Sequence, residues 1–231
     1  MVKKAPIFVA LDTPDLKQAI TVANDIKSFI TGIKVGPIFF SKNSIDKVNE
    51  FSEMNLKIFV DNKIHDITST VEKTLNGINS QPIDYFTIHT ASGLETLRRA
   101  KEVAAGFSRP IKLLGVTVLT NLDSSSSLDE IGIKHNMEEQ IKQLASLAQK
   151  SKLDGIICDG KNILNAKQVF RGEIFVPGVR LDRDKMHDQN PSRSLTPKAA
   201  LNNGATYLVC GREVCVGNPK ENIKKIINSL N

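Results

Sequence analysis

At 231 residues, with 40% hydrophobic and 24% charged residues, the chain has the size and composition of one large globular domain. A net charge of +6 admits an anionic ligand, but the excess is dispersed, and the lack of tryptophan and of Arg-rich tracts argues against nucleic-acid binding. The longest apolar runs are strand-length and the N-terminus has no apolar signal region, so a cytoplasmic chain without signal peptide or membrane span is expected.

The first apolar run, 7–11, precedes an amphipathic stretch over 15–29 with Thr13-Pro14 as its start signal. The same alternation then repeats. A run at 32–36 precedes a helical pattern over 41–53, 58–60 precedes 68–79, 85–89 precedes 93–105, and 112–119 precedes 137–150. It continues with 155–158 and 162–170, then 174–176 and 197–203 (opened by Thr196-Pro197), and ends with 207–210 and 219–230. The runs are nearly continuous and rich in β-branched residues, as in parallel strands buried on both faces. Eight strand–helix repeats predict an α/β fold, a single (β/α)8 TIM barrel over 1–231, in preference to an open doubly wound sheet. No low-complexity linker divides the chain, and the serines at 124–127 fall in a loop. Cys158, Cys210 and Cys215 are odd in number, lack metal-ligand spacing and are expected to be free thiols, the first two buried in apolar runs.

A barrel carries its chemistry where the strands end. Those ends hold Asp12, Lys34, Asp61 with Lys63, His89, Thr120, Asp159, Arg180 and Arg212, all expected to face one mouth. The densest of them is Asp61-Asn62-Lys63-Ile64-His65-Asp66, with two carboxylates and an ammonium in six residues. Strand periodicity predicts that Asp61 and Lys63 project to the same side. Such a run is either a surface ion pair, worth little, or a centre for handling charge, and its place after the third of eight strands favours the centre.

Two glycine-bearing elements, Pro177-Gly178-Val179-Arg180 and Gly211-Arg212, follow the last two strands, where barrels of this kind cradle phosphate. Glycine lets backbone N–H groups approach an anion and arginine adds a bidentate clamp. The polar stretch 181–195 between them has the length of a lid, and Gln189 within it is either a phosphate ligand or a solvated amide. Asp12, Asp61 and Asp66 are potential Mg²⁺ ligands, but Lys34 and Lys63 in the same mouth would repel a cation. His89 is expected to be structural and His65 local to its turn. No G-x-S-x-G elbow is present.

The ordered set Val9-Ala10-Leu11-Asp12, Ile33-Lys34-Val35-Gly36, Asp61-Asn62-Lys63-Ile64-His65-Asp66-Ile67, Ile88-His89, Val118-Leu119-Thr120, Val176-Pro177-Gly178-Val179-Arg180, Asp188-Gln189 and Val209-Cys210-Gly211-Arg212 resembles the orotidine 5′-monophosphate decarboxylases. The resemblance runs from residue 8 to about 217. It implies a homodimer that needs no cofactor or metal and converts orotidine monophosphate to uridine monophosphate and CO₂ in de novo pyrimidine synthesis. Lys63 would protonate pyrimidine C6, and Asp61 would lie beside the substrate carboxylate and hold Lys63. Asp66 and Thr70 would reach into the partner subunit's site. Asp12 and Lys34 would bind ribose hydroxyls and extend the charged array. Thr120 would touch the pyrimidine, and Arg180, Gln189, Gly211 and Arg212 would hold the phosphate.

Asn62, Pro37 and Val176 depart from the family's usual residues without removing a charge from this array. The D-x-K-x-x-D core is shared with Mg²⁺-dependent sugar-phosphate decarboxylases and aldolases, such as 3-keto-L-gulonate-6-phosphate decarboxylase and hexulose-phosphate synthase. Those relatives typically carry a carboxylate where this chain has Lys34. A non-catalytic nucleotide-binding barrel would bind uridine monophosphate without decarboxylating its precursor.

Overall fold

Eight parallel strands close into a barrel in chain order: β1 (Ala5–Ala10), β2 (Ile30–Val35), β3 (Lys57–Ile64), β4 (Tyr85–His89), β5 (Lys112–Val116), β6 (Gly155–Ile157), β7 (Glu173–Pro177) and β8 (Tyr207–Cys210). Each pairs with the next, and β8 returns to β1 through the register Phe8–Val209. The structure is a computed structural model that describes residues 4–122, 125–181 and 195–230.

Around the strands lie α1 (Leu16–Ile26), α2 (Pro37–Phe40), a 3₁₀ segment (Ile45–Met54), α3 (Thr68–Gly77), α4 (Leu94–Ala105), α5 (Ser125–Glu130), α6 (Met137–Lys150), α7 (Ile163–Val169), α8 (Pro197–Asn202), α9 (Arg212–Cys215) and α10 (Pro219–Asn228). This is the expected (β/α)8 fold. Among the described residues no helix is long and apolar enough to cross a membrane.

Strand alternation sorts the core into two layers. On β1, Ile7 and Val9 join the large apolar cluster between sheet and helices, whereas Phe8 and Ala10 point into the barrel. The interior floor is aromatic: Phe8 lies 5.5 Å from Tyr85, 5.4 Å from Phe175 and 5.2 Å from Tyr207 between ring centroids. Gly32 makes room for it, since a Cβ there would come within 2.4 Å of both Phe8 Cε1 and Lys57 O. Continuing the same inward face upward from this plug places Asp12, Lys34 and Asp61 at the carboxyl end. The floor is thus packed with aromatic rings and the mouth is charged, as a barrel demands.

Several boundaries differ from expectation. The helix expected over 41–53 is a 3₁₀ segment preceded by the short α2, because Pro37 at the first helical position starts a turn earlier. Helix α1 is capped by Asp15, whose carboxylate accepts from Lys17 N–H and Gln18 N–H at 2.9 and 3.2 Å, so Thr13-Pro14 lies ahead of the true cap. Helix α8 begins as expected, with Thr196 accepting from Ala199 N–H. Strand β5 ends at Val116, three residues short of its apolar run, and β3 runs on to Ile64. No disulfide joins the three cysteines, of which Cys158 and Cys210 are buried and Cys215 is half-buried. Burial raises the Cys210 thiol pKa to about 12.

Candidate active site

A cavity of about 210 Å³ opens at the carboxyl ends of the strands. Its base is Ala10, Phe59, Ile157 and Val209, and one wall carries Asp12, Lys34, Asp61 and Lys63. Gly178 and Arg180 line the cavity from the end of β7, across the barrel from β3. Gly211 and Arg212 line it from the end of β8 beside Asp12, and Val118, Leu119 and Thr120 follow β5. Four cationic side chains and two carboxylates line this space, an imbalance suited to an anionic ligand.

The charged wall is one connected array. Lys34 Nζ lies 3.2 Å from Asp12 Oδ1 and 3.3 Å from Asp61 Oδ2, and Lys63 Nζ lies 2.8 Å from the same Asp61 oxygen. Asp61 is 7% exposed and the Lys34 side chain 12%, so their pair is largely desolvated and not the surface bridge that the sequence left open. The Asp12 and Lys63 side chains keep 46% and 34% exposure. Burial pushes the Asp61 carboxyl up, but Lys34 and Lys63, helped by hydrogen bonds from Lys63 and Thr87, hold it below the ordinary carboxylate value. Burial likewise pushes the Lys34 ammonium down, and Asp61 and Asp12 outweigh it to hold its pKa above that of an ordinary lysine.

Asp61 and Lys63 share a side, as expected, but not through regular strand geometry. Between the pairs Val60–Phe86 and Ile64–Ile88 the β3–β4 register shifts, and Lys63 has φ 48°, in the left-handed region. A non-glycine residue there costs roughly 1–2 kcal/mol. Its backbone N–H donates to Thr87 Oγ1 at 2.8 Å, and Thr87 Oγ1 donates to Asp61 Oδ1 at 3.1 Å.

On the opposite wall, Gly178 has φ 71°, a conformation that favours glycine and lets the chain turn after β7. Arg180 is 11% exposed in its side chain, and its Nε lies 3.8 Å from Glu213 Oε2. Glu213 Oε1 also accepts Leu181 N–H at 3.3 Å. Arg180 N–H donates to Leu195 O at 3.1 Å, which ties together the two ends of the 181–195 stretch. Gln189 lies outside the described residues.

Not every strand end joins the site. Asp159 is turned into the wall, where its carboxylate accepts from Lys161 N–H and Asn162 N–H and from the Asn162 amide, capping the turn after β6. The His89 ring packs 5.3 Å from that of His65, outside the cavity lining. Burial, then His65 and Lys63, lower its pKa. Asp66 is exposed, accepts Ile67 N–H at 2.7 Å, and borders a separate shallow hollow with Thr68 and Thr96. Thr70, in the first turn of α3, is half-buried and does not line the central cavity.

Two members of the arrangement were not expected from sequence: Thr87 and Glu213. Thr87 did leave a signal, as the polar centre of the apolar run Tyr85-Phe86-Thr87-Ile88. Glu213 left none, being one of many charged residues near a helix start.

The family described as orotidine 5'-phosphate decarboxylase / HUMPS matches over residues 5–226. The orotidine 5'-phosphate decarboxylase of Sphingopyxis alaskensis is 37% identical over 211 residues, covering 91% of this chain and 92% of its own. That of Wolbachia pipientis subsp. Culex pipiens is 36% identical over 228 residues, covering 97% and 98%. The crystal structure of orotidine 5'-phosphate decarboxylase from Lactobacillus acidophilus superposes with a TM-score of 0.80 at 29% identity, covering 98% of this chain and 99% of the other. By sequence over nearly its whole length and by the architecture of the barrel, this chain belongs to the orotidine 5'-phosphate decarboxylase / HUMPS family.

Proposed function

We propose that the chain is a cytoplasmic, homodimeric carboxy-lyase that converts orotidine 5′-monophosphate to uridine 5′-monophosphate and CO₂ in pyrimidine biosynthesis, without metal or cofactor. One observation carries this: two lysine ammonium groups meet on one buried carboxylate oxygen, in a cavity that two arginines and two glycines also line from the ends of β7 and β8. Loss of CO₂ breaks the bond from C6 to the carboxylate and leaves its electron pair on C6, where delocalisation is poor. Lys63 stabilises that pair and then transfers an Nζ proton to it, forming the C6–H bond of the product. A proton from solvent restores the ammonium.

Asp61 holds Lys63 at 2.8 Å and places its own charge beside the departing carboxylate. Lys34 and Asp12 take the ribose hydroxyls, and Thr120 contacts the pyrimidine. Arg180, Arg212 and Gly211, with Gln189, take the phosphate. Binding the phosphate far from C6 supplies interaction energy that can be used at the reacting atom. Asp66 and Thr70 serve the site of the neighbouring subunit, which accounts for their position outside the central cavity.

The metal-dependent relatives named within the same family are disfavoured by Lys34, whose ammonium occupies the space between Asp12 and Asp61. The deciding assay follows the loss of orotate absorbance when pure protein meets orotidine monophosphate in EDTA. Turnover is expected, and its absence would refute the proposal. Replacing Lys63 with Ala is expected to lower kcat by about three or more orders of magnitude, the scale lost with a key transition-state group, while leaving uridine monophosphate bound.

A further inference from the structure

Thr87 carries no charge and lies wholly inside the barrel wall, 0% exposed, yet it contacts both functional residues of β3. The β3–β4 ladder pairs Val60 with Phe86 and next Ile64 with Ile88. Between those pairs β3 has Asp61, Asn62 and Lys63, whereas β4 has Thr87 alone. Extra residues on one strand form a bulge, which interrupts the ladder and re-aims a side chain.

The Lys63 N–H at this bulge donates to the Thr87 hydroxyl. A backbone N–H can only donate, so the hydroxyl accepts there and keeps its own proton for Asp61 Oδ1. Asp61 Oδ2 is left to receive Lys63 Nζ and Lys34 Nζ. The contacts form a ring: Lys63 backbone to Thr87, Thr87 to Asp61, Asp61 back to the Lys63 ammonium. Both ends of Lys63 are therefore held by one clasp, and its left-handed backbone is fixed where its side chain must be aimed.

We infer that Thr87 is a positioning residue for decarboxylation, its hydroxyl holding the Lys63 backbone and the Asp61 carboxylate in mutual register. The inference rests on the function proposed above. Thr87 does not line the cavity and acts only through its two partners. A hydroxyl is required because one atom must accept from an amide and donate to a carboxylate. Valine has the same shape and neither capacity, while serine keeps both and loses only the methyl group.

The test compares wild type, Thr87→Val and Thr87→Ser by kcat and KM for orotidine monophosphate and by affinity for uridine monophosphate. Thr87→Val is expected to lower kcat about 10²-fold, the scale of a small misplacement at a reacting centre, with product affinity little changed. Thr87→Ser is expected to recover most of the rate. Wild-type kcat in Thr87→Val, a Ser variant as impaired as Val, or a parallel loss of product affinity would each overturn the inference. If the Val variant does not fold, Thr87→Ala, which removes both the donor and the acceptor, replaces it under the same outcomes.

A crystal structure of the Val or Ala variant without ligand reads the inference independently of turnover. The 2.8 Å contact between Lys63 and Asp61 is expected to open, and an unchanged array would overturn the role assigned to Thr87. Absence of turnover in the wild type would sink the functional proposal alone, and this structural comparison would still decide on Thr87.

Discussion

Lys34 and Lys63 direct their ammonium nitrogens to the same oxygen of Asp61, at 3.3 and 2.8 Å. Two like charges converge there only because Asp61 lies between them and because Asp12 takes part of the Lys34 charge at 3.2 Å. Replacing Asp61 with Asn keeps the shape and removes the charge that makes the arrangement tolerable. Stability is expected to fall by about 3–5 kcal/mol, the usual result of removing one partner from buried ion pairs. Urea denaturation checks this, and a variant as stable as wild type would mean that the pairing contributes nothing net. Activity should fall further than affinity for uridine monophosphate, since the arginine wall is untouched.

The same array makes a pH prediction whose sign follows from its two shifted groups. Asp61 titrates below its ordinary value of 3.8, so its contribution to stability is present above that value and is lost as pH falls through the folded pKa. Lys34 titrates above its ordinary value of 10.5, so its contribution is present below that value and is lost as pH rises through the folded pKa. The difference in Tm between wild type and Asp61→Asn should therefore be constant across neutral pH and shrink at both extremes. Thermal melts in a buffer series measure it, and a difference that stays constant into the acid limb would show that Asp61 is not the group responsible.

The barrel was legible because each strand is an apolar run and each helix an amphipathic one, and eight repeats of that pattern admit few topologies. Asp12, Lys34, Asp61, Thr120, Arg180 and Arg212 followed from a single rule, that side chains at strand ends face the mouth. That rule fails at Asp159, whose carboxylate finds three donors in its own turn, and at His89, which packs against His65. Local hydrogen bonding and ring packing compete with the mouth at those two positions, and neither is written in strand periodicity. The bulge was hidden for a similar reason: it depends on the register between β3 and β4, and register is a property of two strands at once.

Arg180 should be distinguishable from a simple surface cation. Its guanidinium lies beside Glu213, which also accepts the Leu181 N–H, so Arg180→Ala leaves a carboxylate facing the position assigned to phosphate. Affinity for uridine monophosphate is expected to fall by about 1.5–3 kcal/mol, the range for a hydrogen bond to a charged group, and Tm should fall with it. Adding Glu213→Gln should restore Tm without restoring full affinity. Calorimetric titration and thermal melts on the two variants separate these effects, and full recovery of affinity in the double variant would remove Arg180 from the binding site.

Asp66 stands apart from the array, exposed on the turn before α3 and beside Ile67, which is 69% exposed. A carboxylate and an apolar side chain on one turn suit a surface that a second copy covers, with the carboxylate reaching the partner's cavity. That geometry makes a prediction that no single-subunit role for Asp66 shares. Asp66→Ala and Lys63→Ala should each be nearly inactive alone. When the two are unfolded together and refolded as a mixture, each mixed dimer contains one site with Lys63 from one subunit and Asp66 from the other. Random pairing in a two-fold dimer should then restore about one quarter of wild-type activity. Refolding each variant separately and mixing afterwards, without exchange, should restore none. If the co-refolded mixture stays inactive while dimers form, Asp66 acts within its own subunit and the shared site is refuted.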